Sequence, residues 1–151
     1  MNRFAKWLLF AGLLLLVACA PVPPGQDLVG TGWTLVSLDG NTQVGEALGG
    51  QEVTLVFTSS TEAGGSGGCN SFGATYEANS STSSIAFSDL VSTLMACTVE
   101  GIGDVEAAYL ASLGAADQYE ITLCEACPNP ESLTITGGGH TLFFERTSED
   151  T

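Results

Sequence analysis

Five cysteines are the side chains of this 151-residue chain with the most evident chemistry. Cys124 and Cys127 have two residues between them, the spacing of redox pairs whose thiol pKa is lowered at a helix N-terminus. Pro128 and Pro130 follow at once, so no helix can start there and continue into the next segment. The pair is therefore predicted to be a structural disulfide. A redox pair, reduced thiols and crossed pairings are the alternatives.

Other candidates for chemistry are few. His140, the only histidine, follows three glycines and is predicted to be an exposed turn residue. Residues 64–68 are glycine-rich but lack the Lys-Ser/Thr ending of a phosphate-binding loop. The acidic residues do not have the spacing of a calcium loop, whereas glycosidase-like carboxylate pairs stay open. A zinc site made of four thiols is conceivable, although an oxidising compartment favours disulfides. We expect no catalytic residue, no metal and no cofactor.

The first 18 residues have the layout of an export signal. Arg3 and Lys6 precede an apolar run over residues 7–18. A helix of that length rises about 18 Å, against about 30 Å of bilayer hydrocarbon, so a membrane span is the weaker interpretation. Leu16-Val17-Ala18-Cys19 resembles the lipobox of bacterial lipoproteins, in which the signal is cut before the cysteine and the thiol takes a diacylglycerol. An ordinary secretory signal is the alternative.

Removal of residues 1–18 would make the chain strongly acidic. The remaining 133 residues suit one domain and hold Arg146 against all 17 acidic residues, a formal charge of −16 with the amine acylated. Such a charge repels nucleic acid and anionic lipid headgroups, so nucleic-acid binding is excluded. Solubility, a saline habitat or a cationic partner would each account for it.

The composition and patterning of the remaining chain favour β structure. Proline-rich residues 19–29 are predicted to be a flexible tether and residues 148–151 an acidic tail. Between them, short apolar stretches with Gly, Ser and Thr predict strands. The expected strands lie near residues 33–38, 53–58, 72–77, 85–87, 119–123, 132–136 and 141–146. Residues 63–68 are expected to form a glycine-rich loop, and residues 137–140 a hairpin turn.

One segment has helical periodicity. Val105, Tyr109 and Leu113 recur at i, i+4 and i+8 within residues 104–115, with Asp104 as a plausible N-cap and Gly114 as a stop. If this face closes a barrel, its residues will be buried in a plain core. If it borders an open groove, the groove is the candidate site for a ligand or partner.

Five short blocks resemble the META domain of heat-shock-associated, HslJ-type lipoproteins. The blocks are Gly32-Trp33-Thr34-Leu35, Gly67-Gly68-Cys69-Asn70-Ser71-Phe72, Thr93-Leu94-Met95-Ala96-Cys97, Glu106-Ala107-Ala108-Tyr109-Leu110 and Leu142-Phe143-Phe144-Glu145-Arg146. The resemblance covers about residues 29–147, and the domain is set at residues 30–147. It implies a mainly β fold: a partly open, cracked barrel of about seven to eight antiparallel strands with one amphipathic helix. It also implies a disulfide between Cys69 and Cys97. Residues 124–130 are an addition to the family pattern.

The resemblance implies no established enzymatic activity. We expect a non-catalytic lipoprotein of the cell envelope, anchored on the exported side of the membrane, or in the outer membrane if the host has two. It would support envelope integrity, stress tolerance or drug tolerance through an envelope protein partner. The alternative is a binding module that holds an acyl chain or another small apolar ligand in its barrel.

The lipobox leads to a first prediction. Cys19→Ser removes the thiol that takes the lipid, so the uncut, unacylated precursor should accumulate. Intact-mass spectrometry of the membrane fraction measures both changes. Ala20→Ser, which keeps the thiol, is the matched control and should be processed normally. An acylated, membrane-bound Cys19→Ser protein would contradict the assignment.

Overall fold

The computed structural model describes residues 28–42, 51–123 and 131–147. Within them the chain forms eight strands and one helix. These are β1 (Thr31–Leu38), β2 (Thr54–Phe57), β3 (Glu62–Ser66), β4 (Ser71–Asn79), β5 (Ser84–Ser92), α1 (Ile102–Gly114), β6 (Gln118–Leu123), β7 (Glu131–Gly137) and β8 (His140–Arg146). In this part of the chain no helix has the length and apolar character needed to cross a membrane.

The strands form an antiparallel barrel in sequence order. Each strand pairs with the next, and β8 pairs with β1, so the barrel is closed. The mainly β prediction, with its strand number and single helix, is confirmed. The family resemblance implied a partly open barrel, whereas the observed barrel is closed. In the described strands the β5–β6 register has a single residue pair, Ser84 with Gln118. The helix packs along β5, which has no further β6 partner among the described strand residues.

The glycine-rich segment predicted to be a loop is instead strand β3. Its glycines let neighbouring backbones approach closely. A Cβ at Gly65 would overlap the carbonyl oxygen of Thr54, and one at Gly64 would lie 2.8 Å from the carbonyl oxygen of Phe72. Apolar alternation, the usual signal of a strand, is absent here because close approach requires glycine.

Large side chains fill the barrel interior. The largest fully buried ones are Trp33, Tyr76, Tyr109, Phe57, Phe144, Leu28, Leu55, Ile85, Leu113, Leu133 and Ile135. Phe57 and Tyr76 meet edge to face with their ring centroids 4.8 Å apart. Leu28 has no exposed area, so the core extends into the segment predicted to be a tether.

The helix begins two residues earlier than predicted. Gly101 is its N-cap, in the left-handed region with φ of 82°, and Asp104 lies in the first turn. Tyr109 and Leu113 have no exposed area, whereas Val105 is only half-buried. The predicted Val105, Tyr109 and Leu113 face therefore packs into the core and does not border an open groove. The buried face is rotated from that prediction towards Ile102 and Glu106.

An exposed hydrogen-bond pair holds the β1 end against the β7–β8 hairpin. His140 is exposed, as predicted, but it is the first residue of β8 and not a turn residue. Its Nδ1 lies 2.8 Å from Oδ2 of Asp39. Asp39 Oδ1 accepts a hydrogen bond from the backbone N–H of Thr141 at 2.7 Å. The bond to His140 and then that to Thr141 lower the pKa of Asp39 below its ordinary 3.8.

This pair generates a prediction on pH dependence. A carboxylate whose pKa is lower in the folded state stabilises the fold above its unfolded pKa, and the contribution is lost as pH falls through the lowered value. Asp39→Asn, which tolerates the left-handed φ of 52° at this position, should therefore lower Tm at pH 6. The difference from wild type should shrink as pH falls below 3.8.

Thermal unfolding followed by circular dichroism between pH 6 and pH 2.5 measures this difference. Glu120→Gln, at an exposed position of β6, is the charge-matched control and should show no such convergence. A Tm difference for Asp39→Asn that stays constant across the range would contradict the assignment.

Candidate functional site

Two loops and the helix meet at one disulfide. Cys69 follows β3, Cys97 follows β5, and their sulfurs are bonded at 2.04 Å with Cα atoms 5.8 Å apart. The pairing implied by the family resemblance is thus present, and these two residues are not available as zinc thiolates. Cys124, Cys127 and Cys19 lie outside the described residues. The Cys124–Cys127 disulfide and the lipidation of Cys19 therefore stay predictions.

The side chain of Asn70 connects the three segments. Its Oδ1 accepts hydrogen bonds from the Thr93 hydroxyl at 2.9 Å and from the backbone N–H of Met95 at 2.7 Å. Its Nδ2 donates to Glu106 Oε1 at 2.9 Å and contacts Cys69 Sγ at 3.5 Å. A side-chain amide offers two donor hydrogens and an oxygen with two lone pairs, and all four are used here.

Glu106 anchors this network on the helix. Its Oε2 accepts the backbone N–H of Asn70 at 2.6 Å, in addition to the side-chain bond at Oε1. The residue is 9% exposed. Gly67 leaves the space that the carboxylate occupies, since a Cβ there would lie 2.6 Å from both Cγ and Oε2 of Glu106. The carboxylate is thereby a structural acceptor, with both oxygens occupied.

The loop of residues 93–98, here the Met95 loop, carries exposed apolar side chains. Leu94 is 96% exposed and Met95 62%, and Val91 at the end of β5 is 68% exposed. Together these three side chains are here the apolar patch. Among the described residues only one other large hydrophobic side chain, Val56, is exposed. Because Asn70 and the disulfide fix the loop backbone, the patch is displayed on an ordered support.

Acidic residues flank the apolar patch along the chain. Asp89, Glu100 and Asp104 are all exposed. Arg146 is already engaged, since its Nη1 donates to Glu131 at 3.0 Å and its guanidinium lies 5.1 Å from the centre of the Trp33 ring. The charged residues that flank the patch in sequence are therefore all acidic.

A shallow pocket of about 250 Å³ lies beside the loop. Its walls include Cys69, Met95, Cys97 and Ile102. Over the described ranges, no group of three or more His, Cys, Asp or Glu residues is placed to hold a metal ion. The exposed apolar patch is available for contact with a partner, and the disulfide in the pocket wall is available for thiol exchange.

Two central residues of the site were missed from the sequence. In the sequence, Asn70 and Glu106 appear only as members of the family blocks. A signal was available for the second. Ile102, Glu106, Tyr109 and Leu113 follow helical spacing, so a carboxylate in that series must be buried and needs donors.

Known proteins resemble the whole domain. A family model described as META domain matches residues 26–149. An NMR structure of a protein from Burkholderia xenovorans is 28% identical with a TM-score of 0.66, and the match covers 99% of this chain and 100% of that one. A DUF4847 family protein from Bacteroides vulgatus shares the fold at 11% identity and a TM-score of 0.56, over 82% and 96% of the two chains. No curated protein sequence matches significantly.

The fit between Gly67 and Glu106 can be tested by a double-mutant cycle. Gly67→Ala should push the carboxylate off Asn70 and destabilise the domain by about 1–3 kcal/mol. Glu106→Ala leaves two donors of Asn70 without acceptors and should cost about 2–4 kcal/mol. In the Glu106→Ala background the added Cβ meets no carboxylate. The double variant should therefore lose less unfolding free energy than the two single variants lose together, by more than about 0.5 kcal/mol.

Urea unfolding of the four proteins measures these free energies. Gly73→Ala is the matched control, since its Cβ would meet nothing within 4 Å and neither glycine has a positive φ. Additive effects of Gly67→Ala and Glu106→Ala would show that the two residues are not in contact.

Proposed function

The chain belongs to the META domain family, and from its site we propose a non-catalytic cell-envelope lipoprotein that acts by binding a protein partner. The partner binds at the apolar patch, and the complex supports envelope integrity, stress tolerance or drug tolerance. The observation that carries this proposal is the display of Leu94 and Met95 on a loop fixed by Asn70 and the disulfide.

The anchor rests on the N-terminal sequence. Cleavage before Cys19 and acylation of its thiol would attach the domain to the exported side of a membrane. Ala20 follows the cysteine where an aspartate would retain the protein in the inner membrane, so a host with two membranes would carry it in the outer one. Two or three acyl chains meet the requirement for stable anchoring.

Fixing the patch in advance favours binding. A partner that docks on a mobile loop must order it, which costs about 0.5–1.5 kcal/mol per immobilised side chain and more for backbone. The Thr93 and Met95 hydrogen bonds to Asn70 already order this backbone in the free domain. Methionine is enriched at protein interfaces, so an exposed Met side chain on a fixed support is suited to a pocket or groove of a second protein.

The charge of the surroundings indicates the chemistry of the partner. Asp89, Glu100 and Asp104 favour a protein surface with apolar pockets and a basic rim. The same charges disfavour a bilayer with anionic headgroups, although its hydrocarbon could accept Leu94. We therefore assign the patch to a basic protein surface.

The non-catalytic assignment rests on how the reactive groups are used. Both oxygens of Glu106 accept hydrogen bonds from Asn70, and Arg146 is paired with Glu131. His140, at the exposed start of β8, pairs with Asp39. General acid–base catalysis needs a group free to exchange a proton with substrate, and none of these three groups sits with another in a common cleft. The acyl-chain alternative gains no support, because large side chains occupy the barrel interior.

The patch predicts the result of a complementation experiment. Deletion of the gene should give an envelope-stress or drug-sensitivity phenotype. The full-length wild type should restore tolerance, and the Leu94→Ser/Met95→Ser variant should not, although it is exported and folded. A photo-crosslinking amino acid at position 94 should give a discrete protein adduct in wild-type cells.

Val56→Ser is the matched control, since it removes the exposed large hydrophobic side chain that lies outside the apolar patch among the described residues. It should restore tolerance fully. Full complementation by the Leu94→Ser/Met95→Ser variant would overturn the role of the patch. Phosphatidylglycerol vesicle binding is compared between the Cys19→Ser protein and the same protein with Leu94→Ser, which retain the same signal segment. Weaker binding with Leu94→Ser would overturn the protein partner. Turnover of a defined substrate that one carboxylate change abolishes would overturn the non-catalytic assignment.

A further inference from the structure

The Cys69–Cys97 disulfide is accessible from one side. Cys97 is an exposed residue, whereas Cys69 is half-buried and packs against the hydrophobic core. Both line the pocket of about 250 Å³, which is large enough to admit a small thiol. Accessible disulfides are the ones that exchange with external thiols, whereas fully buried ones resist them.

The amide of Asn70 is directed at the sulfurs. One hydrogen of Nδ2 goes to Glu106 Oε1, which leaves the other for the disulfide. Nδ2 lies 3.5 Å from Cys69 Sγ and 3.9 Å from Cys97 Sγ. A donor close to a sulfur stabilises negative charge that develops there, and in thiol exchange that charge develops on the leaving sulfur. Cys69 is thus the favoured leaving group, and Cys97 the accessible target.

We propose that Cys97 is a thiol-exchange site that takes a small aminothiol as a mixed disulfide. The aminothiol thiolate attacks Cys97 Sγ and forms a new S–S bond. The Cys69–Cys97 bond breaks, and its electron pair leaves on Cys69 as a thiolate that accepts the Asn70 hydrogen bond. No net oxidation or reduction occurs, since one disulfide and one thiolate are exchanged for another disulfide and thiolate.

The charge around the pocket selects the class of thiol. Glu100 and Asp104 are exposed near the loop and the start of α1, and the whole chain has a formal charge of −14. A cationic thiol is concentrated near such a surface and an anionic one is depleted, an effect that salt screens. The exchange chemistry does not require the proposed protein partner, so the two can fail separately.

The experiment maps the site of attack on the folded protein. The full-length chain with Cys124→Ser and Cys127→Ser is treated briefly with cysteamine, quenched in acid, alkylated with N-ethylmaleimide and mapped by mass spectrometry. Cysteamine should be found on Cys97 and N-ethylmaleimide on Cys69. At equal thiolate concentration, exchange with 2-mercaptoethanesulfonate should be several-fold slower, and the difference should shrink in 0.5 M salt.

Variants separate the role of Asn70 from that of loop order. Asn70→Ala should lower the share of mixed disulfide on Cys97, because Cys69 loses its donor. Thr93→Val loosens the same loop but keeps Nδ2 in place, so it should leave that share unchanged. Cysteamine found mainly on Cys69, or exchange no faster than global unfolding, would overturn the proposal even if Asn70→Ala does not fold. An unchanged share in folded Asn70→Ala would overturn the role of Asn70.

Discussion

A buried side-chain amide must have its hydrogen bonds made, and the structure around the disulfide follows from how Asn70 makes them. Its partners lie 23, 25 and 36 residues away, on Thr93, Met95 and Glu106. Leaving a buried donor or acceptor unpaired costs about 1–3 kcal/mol. The β5–α1 loop and the helix therefore cannot move independently of the segment after β3.

This constraint also bears on barrel closure. Glu106 holds the first half of α1 near the end of β3, while Tyr109 packs edge to face on Phe72 with centroids 5.7 Å apart. The Tyr109 hydroxyl donates to the carbonyl oxygen of Thr54 at 3.2 Å, which ties the helix to β2 as well. With α1 held in this way, it packs along β5, whose register with β6 has a single residue pair, Ser84 with Gln118. A polar network at one side of the barrel thus helps to position the helix that packs against β5.

The parts that could be predicted from sequence are those where burial alternates along a strand. Val53, Leu55 and Phe57 are buried as their spacing requires, and β2 follows from them. Strand β3 could not be found in this way, because its positions are set by the backbone of neighbouring strands and not by burial of side chains. The helix is predicted from its periodicity, and Tyr109 and Leu113 are buried as expected. The buried face continues through Glu106 and not through Val105, because Asn70 supplies hydrogen bonds to the carboxylate. Asn70 could not be recognised, since the partners that satisfy its amide are distant in sequence.

The fixed loop is not needed to fill the core. Leu94 and Met95 contribute little buried area. A flexible loop of polar residues in their place would therefore leave the packing of the barrel interior unchanged. The buried hydrogen-bonded pair of Asn70 and Glu106 and a disulfide that spans 28 residues nevertheless hold this segment in place. On the chain-entropy model such a crosslink contributes about 3–4 kcal/mol, which acts on the whole domain. The hydrogen bonds to Thr93 and Met95, in contrast, act only on the loop. A loop that is ordered while its apolar side chains stay exposed is suited to binding a partner protein. This is the physical basis for placing the proposed function at the apolar patch.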